Sequence, residues 1–113
     1  MYDSSCIFCK IAAHEIPSEI MHENDRIVAF RDTDPKAPTH ILLIPKKHVE
    51  SLSDGASDPA LLGEIVSRSA AIAGERGVPE FRLVANTGRQ AGQVVFHLHF
   101  HLLGGRRMGW PPG

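Results

Sequence analysis

The stretch GQVVFHLHFHLLGG, residues 92–105, carries three histidines at every second position of an otherwise apolar run. Successive side chains of a β-strand point to opposite faces, so His97, His99 and His101 are expected to share one face. The opposite face would consist of Val94, Phe96, Leu98, Phe100 and Leu102. We expect these apolar residues to pack against a helix, which predicts a strand with one buried face and one row of imidazoles.

The row of imidazoles has three possible explanations: a polar face towards water, a metal site or a catalytic site. Neighbouring same-face residues lie about 6.6 Å apart and the outer two about 13 Å. Zinc–nitrogen bonds are roughly 2.0–2.1 Å long, so two adjacent histidines could share a zinc ion but three could not easily do so. A histidine of ordinary pKa, about 6.5, can act as nucleophile, acid or base near neutral pH. A row of them suits a phosphate, because one ring can attack phosphorus while a cationic neighbour stabilises the oxygens.

The loop before this strand has the residues of a phosphate-binding turn. Its sequence is NTGRQAGQ, residues 86–93. Gly88 and Gly92 permit backbone dihedrals that let amides point at an anion, and Asn86 and Gln93 add side-chain donors. A glycine-bearing loop between strands is usually only a turn. Its position directly before the histidines nevertheless favours a phosphate-binding role.

The rest of the chain alternates helical and strand patterns. Residues 4–17 predict a short helix capped by Ser4 or Ser5, and residues 58–76 predict a long helix capped by Asp58. Strands are predicted over residues 19–25, 26–32, 40–46, 80–88 and 93–103, the first two as a hairpin. Only the long helix could serve as a parallel crossover. We therefore predict an α+β fold with a mostly antiparallel five-stranded sheet, one long helix and one or two short ones.

Composition points to one globular domain, residues 1–113. Hydrophobic residues make up 42% of the 113 and charged residues 22%, and the net charge is −1 with histidine neutral. This charge gives no basic field for nucleic acid or anionic lipid. The longest aliphatic run, residues 41–44, is far too short to span a membrane. The charge and the short aliphatic run lead us to expect neither nucleic-acid nor membrane partners. The first residues do not have the basic segment followed by an apolar segment that is typical of a signal peptide, so we expect a cytoplasmic protein.

Two cysteines, Cys6 and Cys9, form a C-x-x-C pair. The pair could be a redox motif, half of a zinc site or two small buried residues. A thioredoxin-like motif needs a strand directly before it, and the few residues upstream leave no room for one. A zinc site needs two further ligands, which the spacing alone does not supply.

The histidine run itself, HLHFHLL at residues 97–103, resembles the signature of the histidine triad (HIT) superfamily, His-φ-His-φ-His-φ-φ, where φ is hydrophobic. The segments CIFCKIAAHEIPSEI, AFRDTDPKAPTHILLIPKKHVES, ANTGRQAGQ and LLGGRRMGWPPG are similar to its nucleotide-binding HINT branch. The resemblance implies a HIT-like fold and a central histidine, His99, that attacks the α-phosphorus of a purine nucleotide. It also implies that the carbonyl of His97 orients this nucleophile and that His101 contacts the phosphate and assists the leaving group.

The same resemblance implies a nucleotide site. Asp32 would hold the ribose hydroxyls. The base pocket would be lined by Ile7, Phe8, Ile27 and Phe30, and the phosphate side by Asn86, Gly92 and Gln93. Trp110 would reach the active site of the partner subunit in a homodimer. Val94 stands where many HINT proteins carry serine, so any role of that hydroxyl would pass to another group or be lost.

A structural zinc ion is also implied by the resemblance, held by Cys6, Cys9, His48 and His97. The function that follows is hydrolysis of the P–N bond in nucleoside 5′-phosphoramidates through a nucleotidyl-histidine. Two alternatives stay open: a dinucleoside polyphosphate or adenylyl-sulfate hydrolase, and a nucleotide-binding or scaffolding protein with vestigial catalysis. The remaining histidines, His14, His22 and His40, are expected to have no catalytic role.

Overall fold

A computed structural model describes residues 2–56 and 58–113. Its elements in chain order are α1 (Ile7–Ala12), β1 (Ile20–Glu23), β2 (Ile27–Arg31), β3 (Thr39–Pro45), α2 (Leu52–Gly55), α3 (Pro59–Glu75), β4 (Phe81–Val84), a 3₁₀ turn (Arg89–Ala91) and β5 (Phe100–Gly104). The strands pair antiparallel in the order β1-β2-β3-β5-β4. The predicted α+β fold with a five-stranded antiparallel sheet is confirmed.

Helix α3 covers one face of the sheet. The side chain of Asp58 caps it by accepting the Leu61 amide at 3.2 Å, and Pro59 occupies its first turn. Its buried residues Leu61, Ile65 and Ile72 recur at helical spacing and pack with sheet residues such as Leu43. Each large aliphatic side chain buried in this way contributes about 1.5–3 kcal/mol.

The short helix α1 covers the opposite face. Phe8, Cys9 and Ile11 form a second apolar cluster with sheet residues that include Phe30 and Leu42. Both faces of the central strands are therefore buried, and this explains why β2 and β3 are almost uninterrupted apolar runs.

The cap of α1 differs from the prediction. Cys6, not Ser4 or Ser5, is the N-cap, and its Sγ accepts the amide of Cys9 at 3.3 Å. Ser5 instead directs its backbone amide and hydroxyl to the carboxylate of Asp3. Both cysteines consequently lie in the first turn of α1 with their sulfur atoms turned inward.

Strand β5 begins later than predicted. Leu98, Phe100 and Leu102 pack in the α3 core as expected, but Val94 is 84% exposed and Phe96 is 37% exposed. The neighbouring strands explain this, because β3 ends at Pro45 and β4 at Val84, and the paired register begins at Phe100. The expectation that Val94 and Phe96 pack against the long helix is therefore wrong.

Within residues 2–56 and 58–113, no helix has both the length and the apolar character needed to cross a membrane.

Candidate functional site

The side chain of His99 has a fixed tautomer. Its Nδ1 lies 2.7 Å from the backbone carbonyl oxygen of His97. A carbonyl can only accept, so Nδ1 carries the hydrogen and Nε2 keeps a free lone pair. The ring is almost fully buried, and this burial lowers the pKa of His99 and favours the neutral form. The arrangement prepares one imidazole nitrogen for attack on an electrophile.

His101 belongs to a second hydrogen-bonded chain on the same face. The backbone amide of Lys36 donates to Nδ1 of His40 at 3.0 Å, so neutral His40 carries its hydrogen on Nε2. That Nε2 lies 2.9 Å from Nδ1 of His101 and 3.4 Å from a carboxylate oxygen of Asp32. His101 therefore accepts at Nδ1 and presents a hydrogen on Nε2. The rings of His99 and His101 lie 5.0 Å apart.

Burial favours the uncharged form of these imidazoles in the free protein. Burial first, and then the neighbouring His99 and His40, lower the pKa of His101 from its ordinary value of 6.5 to about 4. The carboxylate of Asp32 acts in the opposite direction. Burial also lowers the pKa of His40. An anion bound beside these rings would raise their pKa values, because a nearby negative charge favours the protonated form.

A cavity of about 310 Å³ opens beside His40 and His101. Its walls include Asp32, His40, Asn86 and His101. Asp32, at 20% side-chain exposure, faces this space from the end of β2. The structure thus brings Asp32 and Asn86, predicted for the nucleotide site, and His101, predicted as catalytic, to one cavity.

The residues predicted for the base pocket lie in three different places. Phe8 packs edge-on against Phe30 at 5.6 Å and against the His99 ring at 5.1 Å, measured between ring centroids. Ile7 is 47% exposed and borders a different cavity of about 340 Å³ together with Val94. Ile27 is fully buried on the opposite face of the sheet, in the core beneath α3. Because side chains alternate along β2, Ile27 cannot share a pocket with Phe30, and this correction removes it from the set.

The loop before β5 has the backbone geometry expected of its glycines. Gly88 has φ 87° and Gly92 has φ 94°, conformations that disfavour any residue with a Cβ. The side chain of Gln93 is used inside the protein. Its amide donates to the carbonyls of Glu50 and Val95, and its oxygen accepts the amide of Gly88. Gln93 therefore braces the loop, and its amide hydrogens are not free for a phosphate.

The four residues predicted for a metal lie together. Nδ1 of His97 is 3.3 Å from Sγ of Cys6 and 3.6 Å from Sγ of Cys9, and Sγ of Cys9 is 3.4 Å from Nδ1 of His48. All four ligand atoms lie within 4.8 Å of one another. We refer to these residues as the Cys–His cluster.

The Cys–His cluster has the dimensions and chemistry of a tetrahedral zinc site. Bonds of about 2.3 Å to sulfur and about 2.0–2.1 Å to nitrogen, at tetrahedral angles, separate the ligand atoms by about 3.5 Å. Nε2 of His97 donates to the carbonyl of Pro45 at 2.7 Å, so its Nδ1 lone pair points into the cluster. The residues present therefore fit a metal of this type.

Trp110 lies apart from the cavity within the single chain. It is 83% exposed, and the neighbouring Gly109 is tied to β4 because its carbonyl accepts a hydrogen bond from the Arg82 guanidinium at 2.8 Å.

The sequence analysis missed the contribution of His40. His40 is expected there to have no catalytic role, but the structure places its Nε2 2.9 Å from Nδ1 of His101. The strand register is what indicates this contact. β3 pairs with β5 and places Leu42 opposite His101, two residues from His40. That register is not visible until the sheet order is known.

The antiparallel sheet and the row of histidines at positions 97, 99 and 101 define the class of protein described by the histidine triad signature. The family model for the HIT domain matches residues 13–108. A HIT-like protein of Synechocystis is 50% identical over 109 residues, which cover 95% of this chain and 96% of that protein. The purine nucleoside phosphoramidase of Escherichia coli K12 is 46% identical over 106 residues, covering 91% and 89%.

Solved structures of HIT family proteins are similar to the structure of this chain. A HIT family hydrolase from Legionella pneumophila has a TM-score of 0.92 at 50% identity, covering 96% of this chain and 99% of that chain. A histidine triad protein from Clostridium difficile has a TM-score of 0.93 at 44% identity, covering 96% and 97%. The chain belongs to the HIT family.

Proposed function

We propose that this protein is a hydrolase that cleaves the P–N bond of purine nucleoside 5′-phosphoramidates. The observation that carries the proposal is the tautomer of His99, whose Nδ1–H is held by the His97 carbonyl while Nε2 stays free and uncharged. The similarity to a purine nucleoside phosphoramidase over most of both chains supports the same substrate class.

In the first step, Nε2 of His99 would attack the α-phosphorus, forming a N–P bond as the bond to the amine breaks. The His97 carbonyl, which accepts the Nδ1–H, would stabilise the imidazolium that develops. His101 would deliver a proton from Nε2 to the departing amine, after the bound phosphate has raised its pKa. Water would then attack phosphorus, with His101 taking its proton, and release the nucleoside monophosphate.

Asp32, Asn86, Phe8 and Phe30 would bind the nucleotide. Asp32 and Asn86 line the cavity beside His101, where a carboxylate can accept both ribose hydroxyls. Phe8 and Phe30 form the apolar contact next to His99. Gly88 and Gly92 shape the loop towards the phosphate, and Gln93 holds that loop in place.

We also propose that the metal of the Cys–His cluster is zinc. Two thiolates and two imidazoles at tetrahedral separations form a closed site, which is typical of a structural zinc ion. When bound, the ion would supply four bonds that join α1, the segment after β3 and the histidine segment.

The quaternary structure that we propose is a homodimer formed along the β4 edge of the sheet. β4 ends the strand order and carries the exposed Phe81, which leaves a regular edge able to pair with a second copy. The other edge, β1, has an irregular register between Ile20 and His22, and such irregularities discourage edge pairing. The tail with Trp110 leaves from the β4 side.

Trapping of the covalent intermediate tests the function. Enzyme mixed with a labelled adenosine phosphoramidate and quenched in alkaline denaturant, where phosphohistidine survives, should carry nucleotide on the peptide that contains His99. His99→Asn should lower kcat by about 10⁴-fold or more, since it removes the nucleophile. His14→Asn is the matched control, because His14 is an exposed histidine paired with Glu23.

Retained turnover in pure His99→Asn protein would refute the assignment of the nucleophile. A panel of phosphoramidate, dinucleoside polyphosphate and adenylyl-sulfate substrates distinguishes P–N from P–O cleavage. Nucleotide binding without turnover or adduct would instead identify a binding protein.

A further inference from the structure

His97 is the residue at which the Cys–His cluster and the candidate nucleophile meet. Its Nδ1 lies 3.3 Å from Sγ of Cys6, and its Nε2 donates to the carbonyl of Pro45 at 2.7 Å. Its backbone carbonyl accepts the Nδ1–H of His99, also at 2.7 Å. The side chain is completely buried. The buried His97 ring cannot move by itself. A shift of the cluster atoms therefore also displaces the His97 backbone.

A second contact joins the same two sites. Phe8 lies between Cys6 and Cys9 in the first turn of α1. Its ring packs edge-on against His97 at 6.0 Å and against His99 at 5.1 Å. The segment that carries both sulfur ligands thus also carries the aromatic ring that packs against His99.

We propose that the Cys–His cluster, when it holds its metal, positions the imidazole of His99 through the His97 backbone and through Phe8. Cys6, Cys9 and His48 are then positioning residues, since they act on the reaction only through His97 and α1. The inference rests on the proposed function in one respect, the reaction that His99 catalyses.

The physical reason is that α1 depends on contacts with the rest of the protein for its position. α1 has six residues, and a helix of this length is not stable by itself. Its N-cap is a thiol, a poorer acceptor than the oxygen side chains that usually cap helices. Four metal–ligand bonds would fix the His97 carbonyl and the Phe8 ring together. A misplacement of reacting atoms by about 1 Å can cost about 10²-fold in rate.

The experiment compares wild-type protein loaded with zinc and the same protein made metal-free with a chelator under reducing conditions. Imidazole ¹⁵N NMR reports the tautomer of His99 directly, and kinetics give kcat and KM separately. Metal removal should turn the single Nδ1–H tautomer of His99 into a mixture and lower kcat by about 10–100-fold. KM should change by a smaller factor than kcat, because of the proposed nucleotide contacts only Phe8 lies on α1, whereas Asp32 and Asn86 lie in the cavity and outside the cluster.

Cys6→Ser provides the variant arm, since serine can still cap α1 but offers no thiolate. It should reproduce the NMR and kcat changes of the metal-free protein. Ser5→Ala is the matched control, because Ser5 is the adjacent exposed residue and its hydroxyl bonds only Asp3 among the described contacts. It should leave both measurements unchanged.

Should metal-free protein unfold, as judged by circular dichroism, protein loaded with Cd²⁺ decides the matter. The larger ion should shift the Nδ1–H resonance of His99 and change kcat while the fold is kept. An unchanged His99 resonance and kcat in metal-free, Cys6→Ser or Cd²⁺-loaded protein would overturn the inference, as would failure of the cluster to bind any metal. A tautomer change in a protein without phosphoramidase activity would uphold the positioning and refute only the proposed function.

Discussion

At the scale of single residues, backbone groups determine the states of the histidines. The Pro45 and His97 carbonyls can only accept and the Lys36 amide can only donate, so each fixes the tautomer of the imidazole that it contacts. Main-chain atoms of β3, of the loop before it and of the histidine segment thereby set which ring nitrogens are free. A conservative change of the surrounding side chains would leave this pattern in place.

The pKa of His101 predicts a dependence of stability on pH. The folded pKa is about 4 and the ordinary value is 6.5. Between these values the unfolded chain binds a proton at this residue and the folded chain does not, so acidification favours unfolding. The stability due to neutral His101 is present above about pH 6.5 and is lost as the pH falls towards 4.

His101→Asn should therefore flatten the fall in the free energy of unfolding between about pH 6.5 and 4, measured by urea denaturation. Asparagine keeps an oxygen near the position of Nδ1 for the His40 bond, so the comparison isolates the titration. Equal slopes in the two proteins would contradict this prediction.

At the scale of elements, we expect the stability of α1 to depend on the Cys–His cluster. Helix α3 has a side-chain cap and a long buried face, whereas α1 has six residues and a thiol cap. Apolar contacts of Phe8 and Ile11 hold α1 to the sheet, and a metal ion held by the cluster would add fixed points at its first turn.

We expect one zinc ion per chain after exhaustive dialysis, measured by elemental analysis. Cys9→Ala should lose it and unfold at a temperature lower by more than about 4 °C, since each 1 kcal/mol lost corresponds to about 4–8 °C in a domain of this size. Ser5→Ala should keep both the zinc and the melting temperature. Sub-stoichiometric zinc that is indifferent to chelators would refute the zinc site.

At the scale of the whole molecule, the order of the strands leaves β4 as the regular free edge. Light scattering after size exclusion should give twice the chain mass of 12.4 kDa. Phe81→Ser should shift the protein towards monomer, because it removes an exposed apolar side chain from that edge. Tyr2→Ser, which removes an exposed aromatic from the α1 side, should not. A monomeric wild type at micromolar concentration would contradict the dimer.

The agreement between sequence and structure is closest where local pattern decides the outcome. Asp58 before Pro59 and the spacing of Leu61, Ile65 and Ile72 located α3 to within a residue. The alternation over residues 98–102 placed Leu98 and His99 on opposite faces correctly. The same alternation failed at Val94 and Phe96, because neither β3 nor β4 extends far enough to pair with that segment.

Sequence by itself determined the family, the α+β class and which histidines share a face, since these follow from periodicity and from a motif of fixed spacing. Tertiary structure alone decided that His40 contacts His101, that Ile27 lies on the far side of the sheet, and that the Gln93 side chain accepts the Gly88 amide of its own loop. The physical reason is that such contacts depend on strand register and on packing between segments distant in the chain, which no local pattern encodes.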